Sequence, residues 1–99
     1  MISEYTVKNY PLKYNNKALR MIEKSLDMPI AKLGEALQTE VSIGILTEIF
    51  RVGLLHWRPE ITLDEAGEIM DEIGITKAAE AVGKAFEMAF SDENKGKNP

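Results

Sequence analysis

Apolar residues recur along this chain with two different periods, and the change of period marks its first boundary. In "EYTVKNYPLKYNN" the spacing is two, through Tyr5 and Val7 and then Tyr10, Leu12 and Tyr14, as in a half-buried strand. The intervening "KN" fits a tight turn, so a hairpin of two short strands is expected. Pro11 suits a strand edge, where no ladder donor is required. A lone hairpin is marginal in water and must lean on the segments that follow.

After that the period becomes helical. Asn15 or Asn16 is expected to cap a first helix reaching Leu26, with Leu19, Ile22 and Leu26 on one face. Asp27 and Pro29 read as the N-cap and an early position of a short second helix carrying Ile30, Leu33 and Leu37. Ser42 caps a third, "IGILTEIFRVGLLHW", which Pro59 would end near Trp57 or Arg58. Its apolar residues cover more than half the circumference and leave a polar strip of Thr47, Glu48, Arg51 and Arg58. That is the pattern of a central helix with neighbours on several sides.

"TLDE" at 62–65 reads as a capping box for a fourth helix, with Leu63, Ala66, Met70 and Ile73 inward and Asp64, Glu68 and Asp71 outward. Gly74 would close it in a left-handed conformation. Thr76 would cap a fifth, with Ala79, Val82, Phe86 and Phe90 buried. The expected fold is therefore mainly α: about five helices behind an N-terminal hairpin, as one domain over residues 1–90. Residues 91–99 read as a disordered polar tail. Gly44, Gly53, Gly67 and Gly83 fall inside these helices, where each costs about 1 kcal/mol relative to alanine. Close contact between helices is the favoured explanation, and room for a partner's backbone the alternative.

Composition narrows the function. The 99 residues contain no cysteine, so disulfides and thiolate metal sites are excluded. No apolar run approaches the roughly 20 residues of a membrane span, and "MISEYTVKNY" lacks the layout of a secretion signal; a soluble intracellular protein is expected. The chain is short enough for a partner or self-association to be able to supply part of its stability. Its charge of −4 is divided unevenly: eight Lys/Arg against six Asp/Glu in residues 1–58, and four against ten in residues 59–99. A phosphate backbone would be repelled by most of the second part, so nucleic acid is disfavoured as the main partner.

The stretch "GLLHWRPEITLDEAGEIM" brings the only histidine and the only tryptophan near several carboxylates. A metal site at His56 is nevertheless disfavoured, because no second histidine and no cysteine exists to complete the ligand set. Glu65 has the capping box and Asp64 the first helical turn to occupy them. Asp64, Glu65, Glu68, Asp71 and Glu72 read as a solvated face, since acid–base work needs two carboxylates in different environments. No catalytic, cofactor-binding or metal-binding residue is assigned, and an enzyme is the weakest reading. "LDEAGEIMDEIGITKAAEAVG" has the spacing of a helix-turn-helix, with Thr76, Lys77, Ala78 and Glu80 at the groove positions. One lysine beside a glutamate is a poor phosphate-contacting surface, so a packed helical hairpin is preferred and a DNA-associated regulator using residues 62–90 stays as the alternative.

Binding through apolar surface remains. Leu55 falls by helical angle in the polar strip beside Arg51 and Arg58, and Met88 on the polar side of the fifth helix. Joined with Trp57 they would form a groove for a partner, with methionine adapting to varied ligands. Leu55, Trp57, Met88 and Arg51 are the candidate partner-binding residues.

The order of segments resembles a known family. "YTVKNYPLKYNNKALRMIEK", then "MPIAKLGEAL", then "LLHWRPEITLDEAGEIMDEIG" and "AAEAVGKAFEMAF" are together similar, over about residues 5–90, to the tail assembly chaperones of long-tailed bacteriophages and prophages. Pro59, Leu63 and Asp64 match a recurring pattern of helix end, proline and cap that is structural in that family. The resemblance implies a non-enzymatic protein of the host bacterial cytoplasm, absent from the mature virion. It would bind the tape measure protein, keep its apolar helices soluble and help recruit tail tube subunits. It also implies a longer frameshifted product, for which Ser91 onward would be a plausible junction.

Overall fold

A computed structural model describes residues 4–39 and 42–97, the side chains of 34, 36–39 and 90–97 excepted. The described chain runs β1 (Tyr5–Val7), β2 (Tyr10–Leu12), α1 (Asn16–Leu26), α2 (Ile30–Thr39), α3 (Ile43–Gly53), α4 (Leu63–Ile73) and α5 (Ile75–Lys97). It is mainly helical with an N-terminal antiparallel hairpin, as the periodicities require.

The hairpin pairs Val7 with Tyr10, Thr6 with Pro11 and Tyr5 with Leu12. Lys8 and Asn9 turn it with φ of 47° and 72°, the positive pair that matches the right-handed twist of two strands. It does lean on the helices. Both strands touch α5, and β2 also touches α3. Leu12 and Tyr14 are buried in the core.

α3 is the central helix, packed against α1, α4, α5 and β2. Leu46, Ile49, Phe50 and Val52 are buried along it. Its end differs from the expectation: the helix stops at Gly53, and residues 54–58 continue as tight turns from Leu54 N–H to Arg51 O and from Trp57 N–H to Leu54 O. The reason lies at the Gly53 carbonyl. Gly53 O accepts from the Lys13 backbone N–H at 2.9 Å and faces His56 Nδ1 at 3.1 Å, so it is occupied outside the helical ladder. Pro59 is not what stops this helix.

Asn15 caps α1, Ser42 caps α3, and Thr62 with Glu65 forms the capping box of α4, all as read. Asp27 is different: it ends α1 in the left-handed conformation (φ 52°, ψ 51°), its N–H bonded to Glu23 O, instead of starting α2. The first N–H of α2 is taken by Glu23, whose Oε2 accepts from Ile30 at 2.8 Å. Gly74 has positive φ but an extended ψ of 132°, so it is not left-handed helical. α5 starts at Ile75, which places Thr76 in its first turn.

α5 buries Ala78, Ala81, Val82, Ala85 and Phe86, with Ala79 only half-buried; small residues let it lie close against its neighbours. The side chains of Leu37 and Phe90 lie outside the described residues. The α5 backbone continues to Lys97, through most of the stretch read from composition as a tail, and residues 98–99 lie outside the described residues. On α4, Leu63 is exposed, not inward, because it sits on the first turn where the helix has no neighbour over it.

Candidate functional site

Two of the four candidate binding residues meet in one place. Beyond the end of α3, Leu55 lines a pocket of about 400 Å³ with Met21 and Ala18 of α1 and with Val52 and Pro59. Lys13, Lys17, Arg51 and His56 bring polar groups to the same pocket, and no carboxylate lines it among the described residues. Leu55 is half-buried against the core. It lies past the last helical residue, so its position follows from the turn and not from helical angle.

Arg51 does not present a free charge. Its Nε and Nη2 each donate to the Glu48 carboxylate at 2.9 Å, a two-point contact that fixes the guanidinium plane. Glu48 was assigned to a polar strip, yet it is buried at 9% exposure. Burial raises its pKa, but hydrogen bonds from Arg51 and the Ser25 hydroxyl, with the guanidinium charge, outweigh that and hold it below the ordinary value. The Ser25 contact on α1 could not be seen from spacing within α3.

Trp57 lines a different surface. It is 42% exposed, meets the Tyr10 ring edge-on at 5.7 Å, and carries the Arg58 guanidinium 5.8 Å from its ring centroid. Tyr10 donates to Glu72 of α4 at 2.9 Å, which raises the pKa of the phenol, and Arg58 reaches Glu65 at 3.3 Å. The tryptophan therefore ties hairpin to connector while staying partly exposed. Met88, on α5, is half-buried and lines neither this cluster nor the Leu55 pocket.

His56 faces Gly53 O through Nδ1 and sits 3.2 Å from the Glu4 carboxylate through Nε2, an ion pair when the ring is protonated. Glu4 is distant in sequence and was not anticipated. Among the described residues no group of three or more histidines and carboxylates is placed to hold a metal. Asp64, Glu68 and Asp71 are outward and exposed, as read. In the helix-turn-helix reading, Ala78 is fully buried and Lys77 and Glu80 share the exposed side, leaving one cation for phosphate contact.

The glycines divide. A Cβ on Gly53 would stand 2.7 Å from Tyr14 Oη and 2.9 Å from Leu12 Cδ2, so this glycine is required by packing, although against the hairpin rather than another helix. At Gly44, Gly67 and Gly83 an added Cβ would meet nothing within 4 Å among the described residues beyond its own helix backbone. Close helix contact does not explain those three.

No protein-family model, curated protein or solved structure matches the chain.

Proposed function

We propose that this chain is a non-enzymatic tail assembly chaperone that binds the tape measure protein and helps recruit tail tube subunits in the host bacterial cytoplasm. The observation that carries the reading is the Leu55 pocket, an apolar floor with a cationic rim on a small helical body. Met21 and Leu55 offer deformable apolar contact to one face of a client helix. Lys13 and Lys17 would attract acidic residues at its edge. Trp57, on a separate surface toward the hairpin, offers a partly exposed aromatic contact of its own. The resemblance in segment order points to the same class of client.

The test is co-expression with the tape measure protein encoded nearby, followed by pull-down and a measurement of client solubility. A soluble, co-purifying complex is expected, lost when Lys13→Glu and Lys17→Glu are combined. Leu55→Glu should also abolish it, but Leu55 touches the core, so the lysine pair, with Lys17 exposed and Lys13 half-buried, is the cleaner variant. Failure to form a complex while the client aggregates would overturn the reading. A salt-dependent shift of DNA by the chain would move it to the regulator class.

A further inference from the structure

A second groove, of about 580 Å³, opens between the first turns of α3, the outer face of α4 and the start of α5. Ile43, Leu63 and Ile75 stand around it at 55, 49 and 43% exposure. They are three of the four large apolar side chains exposed among the described residues. Met70, buried, lies beneath them. Gly44 and Gly67 both line the groove, and both have open space where a side chain would begin. Among the described residues, every charged one lining it is acidic: Asp64, Glu68 and Asp71, spaced along one stripe of α4.

We propose that this groove binds one amphipathic helix of a partner protein, with small or aliphatic residues on its buried stripe and Lys or Arg beside them. Two helical glycines without internal packing allow a foreign helix backbone to approach closely, as small residues do at tight helix crossings. The exposed isoleucines and leucine supply the apolar contact that a helix in a groove requires. The three carboxylates select a cationic flank and repel phosphate, whether of nucleic acid or of lipid headgroups. A second copy docked groove to groove would set the same carboxylates against each other. The groove differs in place and charge from the Leu55 pocket, so this assignment stands whether or not that pocket holds a client.

The test uses the full chain, labelled with ¹⁵N, and two designed helical peptides sharing one Leu/Ala stripe, one flanked by Lys and Arg and the other by Glu. The cationic peptide should shift the Gly44 and Gly67 amides saturably and bind about tenfold more tightly than the anionic one, with the advantage shrinking as salt is added. Gly67→Leu, which fills the groove, should lose that binding while amides around Leu55 keep their positions. If Gly67→Leu fails to fold, Asp64→Lys with Glu68→Lys on the exposed stripe must give the same loss. Equal binding of both peptides, shifts confined to Leu55 and its neighbours, or no saturable shift at the two glycines would overturn the proposal. So would a sedimenting dimer in which Gly67→Leu restores the monomer, since the groove would then belong to a second copy.

Discussion

The two ends of α3 each carry a glycine, and the glycines do opposite things. At the C-terminal end, Gly53 is pressed under Tyr14, whose Oη donates to Ile49 O at 2.8 Å and whose ring meets Phe86 edge-on at 4.7 Å. Those contacts attach the hairpin to α3 and α5. At the N-terminal end, Gly44 faces open space beside exposed Ile43. Charge follows the same division: cations line the pocket beyond Gly53, and carboxylates line the groove beside Gly44. One helix thus joins a packed glycine beside a cationic pocket to an unpacked glycine beside an anionic groove, so the same residue type means packing at the first and open space at the second.

The most severe way to probe this contrast is Gly53→Ala. The added methyl must displace a tyrosine held by a hydrogen bond and a ring contact, and overpacking outweighs the gain in helix propensity. A loss of about 2–3 kcal/mol is expected in denaturant unfolding. An unchanged midpoint would show that the Tyr14 shelf yields.

Glu48→Gln tests the middle of the same helix and should cost about 1–2 kcal/mol, because charge-assisted bonds from Arg51 and Ser25 are weakened. Its pH dependence has a definite sign. The folded pKa of Glu48 lies below the ordinary 4.5, so the unfolded chain binds more protons in that window. This contribution is complete above about pH 4.5 and is lost as pH falls through the lower folded value. Glu65, held down first by the Thr62 backbone N–H and then by Arg58, adds to the same acid sensitivity. Thermal melts between pH 3 and 6 should fall more steeply for the native chain than for Glu48→Gln, while parallel curves would remove Glu48 from the account.

The smallest effect, and the most telling, is Gly67→Ala. With open space at its Cβ and a mid-helix position on α4, alanine should stabilise the fold by about 0.5–1 kcal/mol. Opposite signs at positions 53 and 67 would establish the difference between the two regions. A destabilised Gly67→Ala would show that the groove is closed in solution.

Much of this fold was legible because its signals are local. The alternating Tyr5, Val7, Tyr10 and Leu12, the caps at Asn15, Ser42 and Thr62, and the breadth of the α3 apolar face each depend on neighbours within a few residues. What failed depended on contacts from afar. The end of α3 is set by Lys13 and His56 at the Gly53 carbonyl, and no periodicity within the helix encodes a residue forty positions earlier. Glu48 looked solvated because Ser25 belongs to another helix. Helical angle joined Leu55 to Arg51 for the wrong reason, since the chain has already left the helix there. Trp57 and Met88 were tied to that patch by type and angle alone, and the turns after Gly53 put Trp57 on the hairpin side. The open groove was missed because the glycine pattern was read as internal packing, although Ile43 and Leu63, on first turns, were the available hint.

Tyr14 also imposes an order on synthesis. Its ring partner Phe86 is translated about seventy residues later, a delay on the order of 4–14 s at ordinary elongation rates. Until then the hairpin can meet α3 and Trp57 but has no site on α5 to occupy, and the Tyr14 ring lacks its edge-on partner. A segment made before every helix here is thus fully seated only when the last of them arrives.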